Sequence, residues 1–308
     1  MRKLDHLLKL LAVGTIVISL SALAAGEWWV LELTAHFRGQ YLAAQATLLL
    51  LLALRARWLW CLTLLPVMVL NVVPLAPYWP RQTMDDPLLG DPLTVMSANL
   101  NNSNTDYGRF LGLLEAAPPD IVLLVEFNAG WGEAARRLHT IYPHRIEIPK
   151  DDRYGIALFS RRPFLNQRSI RLQSTSAIDV RVSVSGRSVR VLGVHLRSPT
   201  SRAWSEERNR QLAELTAIAR RETDPLLVLG DFNISPYSPI FASTLAASGL
   251  RDSRRGRSWY FTWPTFLPLL GIPIDLCMLS EHFAALDSRR GPSFGSDHYP
   301  MSATVALR

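Results

Sequence analysis

Three long apolar stretches open the chain. Leu10 to Gly26 carries no charge and follows Arg2, Lys3 and Lys9; Gly39 to Leu54 is a second uncharged run, containing LLLLLAL and closed by Arg55 and Arg57. A third starts at Trp58 and stays apolar to about Val73. Crossing a bilayer takes about 20 residues as helix, with a lower limit near 17, so the pattern predicts three transmembrane helices at about 7–26, 39–54 and 58–75, the second being short and carrying Gln45. Trp28 and Trp29 follow the first run, where an aromatic pair sits at the lipid–water boundary. SALAAG would suit a signal-peptide cleavage site, but two further apolar runs so close behind favour retained helices. A buried soluble hairpin would need a polar face on runs two and three, and neither has one.

Beyond a proline- and aspartate-rich linker over 77–92 the pattern changes to short apolar runs alternating with amphipathic ones. It predicts strands at Leu93–Ala98, Ile121–Val125, Gly155–Ser160, Val180–Val184, Val189–His195, Leu226–Gly230, Ile274–Leu279 and Ser302–Leu307. Helices are predicted at Tyr107–Ala116, Gly132–Leu138, Arg202–Arg221 and Pro239–Ala247. Strands that follow one another without a helix, as from Val180 to His195, indicate a mixed sheet in an α/β domain. The chain thus divides into a membrane region, 1–76, the linker, and a domain over 93–308.

Charge sharpens this division. Of 308 residues 48% are hydrophobic, and the net charge is +7. Residues 92–308 hold 26 basic and 20 acidic side chains, so nearly all the positive surplus lies in the α/β domain, which suits an anionic substrate. Within the membrane region Arg2, Lys3, Lys9, Arg55 and Arg57 flank one side, whereas the loop after the first run has Glu27 and Glu32 against Arg38. The basic side faces the cytoplasm. That would put the domain on the far side of a bacterial inner membrane, in the periplasm or exterior. Two cysteines, Cys61 and Cys277, lie in different regions and predict no disulfide.

Polar residues recur at strand ends: Asn99 after LTVMSA, Glu126 after IVLLV, His195 in VRVLGVH, Asp231 and Asn233 after LLVLG, Asp275 opening IDLCML, and Asp297-His298 before the last strand. A single such residue is most often a cap or turn residue, but strand ends are where a sandwich of sheets gathers an active site. Carboxylates, amides and histidine together suit metal-assisted phosphoryl hydrolysis. Hard Mg²⁺ takes one or two carboxylates plus water and phosphate oxygens; a histidine held by an aspartate removes a proton from water; and Asn99 or Asn233 hydrogen-bonds phosphate or nucleophile without adding negative charge.

SANLN, PDIVLLVE, YGIALFSR, GVHL, GDFN, PID and GSDHYP, in this order over 93–308, resemble the motifs of the endonuclease/exonuclease/phosphatase superfamily, which includes deoxyribonuclease I-like nucleases, abasic-site endonucleases, inositol-phosphate phosphatases and neutral sphingomyelinases. The three-span start is similar to a membrane-anchored bacterial branch. The resemblance implies a four-layer α/β sandwich, two mixed β-sheets flanked by helices, and a phosphoesterase dependent on Mg²⁺ or Mn²⁺. It implies Glu126 as the main metal ligand, helped by Asn99 and Asp297, and His298 as general base oriented by Asp275. Asp231 would position the water, Asn233 would bond the phosphate, and His195 would stabilise the pentavalent phosphorus or protonate the leaving oxygen. Val125 stands where glutamine is common, and Tyr154 where small polar residues are frequent.

The basic run RDSRRGR over 251–257, with Trp259, Tyr260 and Trp263 downstream, is a candidate grip on nucleic acid or anionic headgroups, through Arg254, Arg255 and Trp263. Arg202, Arg208 and Arg210 with Glu206 and Glu207 read as a solvated, salt-bridged helix face. His6, His36, His139, His144 and His282 have no ligand spacing and receive no role. Tethering leans the substrate toward a lipid or envelope phosphoester. A periplasmic deoxyribonuclease I-like endonuclease is the alternative enzyme, and a catalytically silent membrane-bound binding protein is the alternative of another class, opposed by the intact set of polar residues.

Overall fold

The computed structural model describes residues 2–81 and 90–308; half of the predicted linker, 82–89, lies outside the described residues. The N-terminal region holds α1 (Arg2–Ser21), a short α2 (Trp29–Thr34), α3 (Arg38–Leu54) and α4 (Trp58–Leu75). With their 3₁₀ extensions they make three helical segments long and apolar enough to cross a membrane: Arg2–Ala24, Trp29–Leu54 and Trp58–Tyr78. The second is longer than the sequence pattern indicated, because α2 and a 3₁₀ turn over Ala35–Phe37 precede α3. Polar groups inside the bundle find one another: Asn71 donates to Ser19 Oγ and Gln45 Oε1, and Arg38 donates to Asn71 Oδ1. Gln45, an apparent flaw in the second run, is fully buried in this network. At one end of the bundle Asp5 pairs with Arg55 and Arg57.

The remainder holds β1 (Leu93–Asn99), α5 (Tyr107–Ala116), β2 (Ile121–Val125), α6 (Ala129–Ala135), β3 (His144–Ile148), β4 (Ile156–Ser160), β5 (Phe164–Leu172), β6 (Thr175–Val184), β7 (Arg187–His195), α7 (Arg202–Arg221), β8 (Leu226–Asp231), α8 (Pro239–Ser248), β9 (Arg251–Asp252), β10 (Asp275–Leu279), β11 (Phe283–Arg290) and β12 (Met301–Leu307). Two six-stranded sheets run β11-β12-β1-β2-β4-β3 and β5-β6-β7-β8-β10-β9. Only β1–β2 and β7–β8 pair in parallel, each joined by one helical crossover (α5 and α7).

Every residue of IVLLV in β2 is buried, because its alternate side chains fill different layers. Ile121, Leu123 and Val125 join Val180, Val191 and Leu229 between the sheets, whereas Val122 and Leu124 pack with Phe110 and Trp131 under α5 and α6. On the other outer face Leu192, Val194 and Val228 meet Leu212, Leu215 and Phe241 of α7 and α8. Strands covered on both faces read as continuous apolar runs, which is why these were visible in the sequence. The result is the expected four-layer sandwich.

The two parallel pairs bring the ends of β1, β2, β7 and β8 to one edge of the sandwich. Asp275, at the start of antiparallel β10, pairs in register with Asp231 at the end of β8, and His195 pairs with the same Asp231 across β7–β8. The loop before β12 returns to that edge because β12 runs antiparallel to β1.

Candidate active site

Eight strand-end residues converge at that edge, six of them (Glu126, His195, Asp231, Asn233, Asp297 and His298) lining one cleft with Asn99; Asp275 lies behind them. The cleft encloses about 620 Å³. Asn99 ties its floor together: its Nδ2 donates to Glu126 Oε1 at 3.2 Å and to Asp231 Oδ2 at 3.1 Å, while its Oδ1 accepts from Asn101 N. The amide thus bridges two carboxylates, and the nitrogen, not the oxygen, faces them. Glu126 Oε2 accepts from Asn102 N, and Asp297 accepts from Asn101 Nδ2 at 2.9 Å and Trp263 Nε1 at 3.1 Å. Asn101 and Asn102 therefore fix Glu126 and Asp297 from neighbouring positions. Neither was a sequence candidate, though the run SANLNNSN held the signal.

Backbone strain marks the same place. Asn101, Glu126 and Asn233 have φ of 54°, 56° and 50°, left-handed conformations that non-glycine residues adopt at a cost and that cluster at functional sites. Gly230, at φ 150°, precedes Asp231; a Cβ there would stand 1.8 Å from the Val194 carbonyl oxygen, so the β7–β8 approach needs glycine.

His298 Nδ1 donates to Asp275 Oδ2 at 2.9 Å. That fixes the tautomer with Nε2 free to accept a proton, 3.9 Å from Asp231 Oδ2. Asp275 is fully buried, and Thr262 Oγ1 accepts its backbone N–H. Its second oxygen, Oδ1, finds no hydrogen-bond partner among the described residues. Burial alone would depress the His298 pKa, but the charges of Asp275, Asp231 and Asp297 overrule it and carry it up to about 9. Asp231 rises above the carboxylate range, first through burial and then through the charge of Asp275. His195, 3.6 Å from Asp231, is pushed down to about 3 by burial and by the nearby His298, so it stays neutral.

Donor atoms of Asp231, Asp275 and His298 lie within 4.8 Å of one another, beside Glu126. A buried carboxylate such as Asp231, raised by burial and by the charge beside it, wants a cation, and hard oxygen donors suit Mg²⁺ or Mn²⁺. A divalent ion would offset the negative field and draw His298 back toward neutrality. The carboxylates that line the cleft, Glu126, Asp231 and Asp297, thus offer oxygens that fit a divalent cation.

One wall of the cleft comes from outside the sandwich. Trp29, Leu33, His36 and Phe37, from α2 and the 3₁₀ turn that open the second apolar helical segment, line it. Two buried contacts hold that segment. Glu32 pairs with Arg208 at 2.9 Å, both completely buried, and His36 Nδ1 bonds Ser235 Oγ at 2.9 Å. Arg208 also donates to the carbonyl of Asn233. Arg208 is therefore no solvated helix residue; Arg202, exposed and paired with Glu206, is one. His36, to which the sequence assigned nothing, borders the cleft.

The basic run is corrected more sharply. Arg254 is 1% exposed, pairs with Asp252 and lies between the rings of Tyr78 and Tyr260. It braces the end of the third span against the sandwich and faces no substrate. Arg255 is exposed but lines a separate depression with Val73, Ala76 and Pro77. Trp263 is the member of the predicted substrate-binding set that does border the cleft. Tyr154 borders it too, 5.1 Å from the His195 ring and under the Arg197 guanidinium.

No curated protein matches the chain significantly. Solved structures share the sandwich. D. rerio TDP2 complexed with single strand DNA product is 19% identical, with a TM-score of 0.60, over 70% of this chain and 100% of that one. The human Nocturnin catalytic domain is 21% identical, with a TM-score of 0.59, over 73% and 97%. Sphingomyelinase C from Streptomyces griseocarneus is 17% identical, with a TM-score of 0.54, over 70% and 99%. Identities this low speak for the fold alone. The family model described as "Endonuclease/Exonuclease/phosphatase family" matches residues 96–298, most of the sandwich and about two thirds of the chain. The chain belongs to the endonuclease/exonuclease/phosphatase family.

Proposed function

We propose that the protein is a membrane-anchored, metal-dependent phosphoesterase that hydrolyses its substrate by in-line attack of water. The observation that carries this is the His298–Asp275 pair, its free Nε2 aimed toward Asp231 in a cleft floored by Glu126 and Asn99. In this reading Asp275 holds His298 in the right tautomer and His298 Nε2 takes the proton from water. Asp231, fixed by Asn99 and by the Asn233 N–H, orients that water. The Asn233 amide is engaged with the Leu196 carbonyl and reaches phosphate by sharing its second N–H. Neutral His195 hydrogen-bonds a phosphoryl oxygen. A metal held by Glu126 with Asp297 would neutralise charge on the phosphate.

Three spans with the Asp5–Arg55–Arg57 end in the cytoplasm put the segment between spans one and two on the same, outer side as the catalytic domain. The buried Glu32–Arg208 pair supports that, since it joins the two. For a bacterial inner-membrane protein that side is the periplasm.

The test uses the full chain in detergent with bis(p-nitrophenyl) phosphate, a small soluble diester, and Mg²⁺ or Mn²⁺. Hydrolysis abolished by EDTA and lowered by about 10²–10⁴ in His298→Ala is expected for a lost general base. A His298→Ala protein that retains full turnover would overturn the mechanism.

A further inference from the structure

We propose that the cleft takes the phosphoester of a membrane lipid, presented at headgroup level by the bilayer that the three spans cross; this rests on the phosphoesterase reading above and names its substrate class. Four observations carry it.

The first is depth. A helix rises about 1.5 Å per residue and the hydrocarbon layer is about 30 Å thick, so a span takes about 20 residues. Counted from the Asp5–Arg55–Arg57 cluster, that length reaches Ala25 after α1, Ala35 ahead of α3 and Pro77 after α4. Trp29, Leu33, His36 and Phe37, the wall of the cleft, straddle Ala35. The far boundary of the hydrocarbon, just inside the lipid phosphates, therefore falls at the cleft.

The second is an apolar loop beside the opening. Trp263 and Ile272 both line the cleft and bridge to each other, and the chain between them projects Phe266 and Leu269 at 74% and 84% exposure. Leu267 and Leu270 are exposed too. Four large apolar side chains on one short loop are costly in water.

The third fixes where this loop lies. Gly271 O accepts from Gln40 Nε2 at 2.8 Å, and Gln40 sits in the first turn of α3. The loop thus flanks the outer end of the second span, where Trp28 and Val30 are exposed as well. Its natural surrounding at that height is lipid, into which Phe266 and Leu269 dip while the cleft opens alongside.

The fourth is what the cleft lacks for a nucleic acid. A strand-binding surface wants a track of exposed cations, and the densest basic run spends Arg254 inside the protein and turns Arg255 to another face. Around the acidic floor the lining has one arginine, exposed Arg153, which is a point contact for a single phosphate and no track; much of the remaining wall is Trp29, Leu33, Phe37, Trp263 and Ile272.

The reaction balances without a co-reactant other than water. Water oxygen forms a new bond to phosphorus, an ester P–O bond of the lipid breaks, the water proton goes to His298 Nε2, and the leaving alkoxide gains a proton from solvent.

The experiment reconstitutes the full chain in vesicles of total bacterial polar lipid with Mg²⁺ or Mn²⁺ and follows lipid phosphoesters by ³¹P NMR. Bis(p-nitrophenyl) phosphate and single-stranded DNA are supplied in parallel. Loss of a lipid phosphoester that EDTA and His298→Ala both stop is the expected result. Hydrolysis of the soluble diester or of DNA with the lipids untouched overturns this inference and leaves the phosphoesterase reading standing; no hydrolysis of any of the three overturns both. A double variant, Phe266→Ser with Leu269→Ser, should lower the ratio of lipid to soluble-diester turnover at least tenfold; an unchanged ratio removes the loop from the proposal. A second readout does not depend on turnover. In Phe266→Cys an environment-sensitive label has little competition, because Cys61 and Cys277 are buried. Its emission should shift to the blue on adding vesicles, and an unshifted spectrum would place the loop in water and overturn the membrane contact.

Discussion

Asp275 shows how much one buried carboxylate does here. It touches no cleft space of its own, yet it sets the proton on His298 Nδ1 and raises the affinity of that ring for a second proton. Asp275→Asn keeps the shape and removes the charge, and an amide can offer its N–H to the ring, favouring the wrong tautomer. We expect turnover of the soluble diester to fall by about 10²–10⁴ with KM little changed; a variant within threefold of the parent would remove Asp275 from this role. Asp275 and its partners were legible in the sequence because each stands at the end of an apolar strand, where a carboxylate or imidazole has no packing reason to be. Asn101 and Asn102 showed only as part of the polar run SANLNNSN, since Asn102 acts on Glu126 through its backbone N–H and the Asn101 amide meets Asp297 only once the chain is folded. Arg254 misled for the converse reason: charge density alone does not say whether a guanidinium meets a carboxylate and two aromatic rings or meets water.

Among the elements, central strands were visible and edge strands were not. β5, with sequence FLNQRSIRL, is exposed along most of its length, and β3 alternates charge with isoleucine. Charged, polar edges avoid pairing with other chains, so they forfeit the apolar pattern by which a strand is recognised. That edge is held by charge instead. Asp179 on β6 accepts from Arg168 on β5 and Arg190 on β7, and Arg190 and Arg181 both reach Glu222 just past α7. Burial would raise both carboxylates, but the arginines overrule it and hold Asp179 and Glu222 below the ordinary range. A carboxylate with a depressed folded pKa contributes stability that is fully present above its unfolded value, about 4, and is lost as pH falls through the folded one. The melting temperature should therefore drop between about pH 5 and about pH 3. Arg190→Gln, which cannot supply the charge, should flatten that slope; an Arg190→Gln slope equal to the parent's would show that acid unfolding starts elsewhere.

At the scale of the whole molecule the sequence pattern presented the N-terminal apolar region as a tether, and a tether need not touch the sandwich. No pattern in either half could show that Glu32, on α2 at the start of the second helical segment, and Arg208, on a helix of the sandwich, pair at full burial, because their complementarity exists only once both parts are folded. Removing one member of a buried pair leaves an uncompensated charge and costs about 3–5 kcal/mol, whereas replacing both by apolar groups of similar size is often near neutral. Glu32→Leu and Arg208→Met should each lower stability in detergent by about that amount, and the double variant should recover most of it. Turnover adds a second reading. Arg208 also bonds the Asn233 carbonyl, and Glu32 is about one helical turn from the cleft wall at His36 and Phe37. If the pair registers the two halves, both single variants slow hydrolysis of the soluble diester, although Glu32 touches no substrate. Strict additivity of the two single losses in the double variant would mean that the membrane segment and the catalytic domain fold without coupling, and the segment between the spans would then be a neighbour of the active site and no part of it.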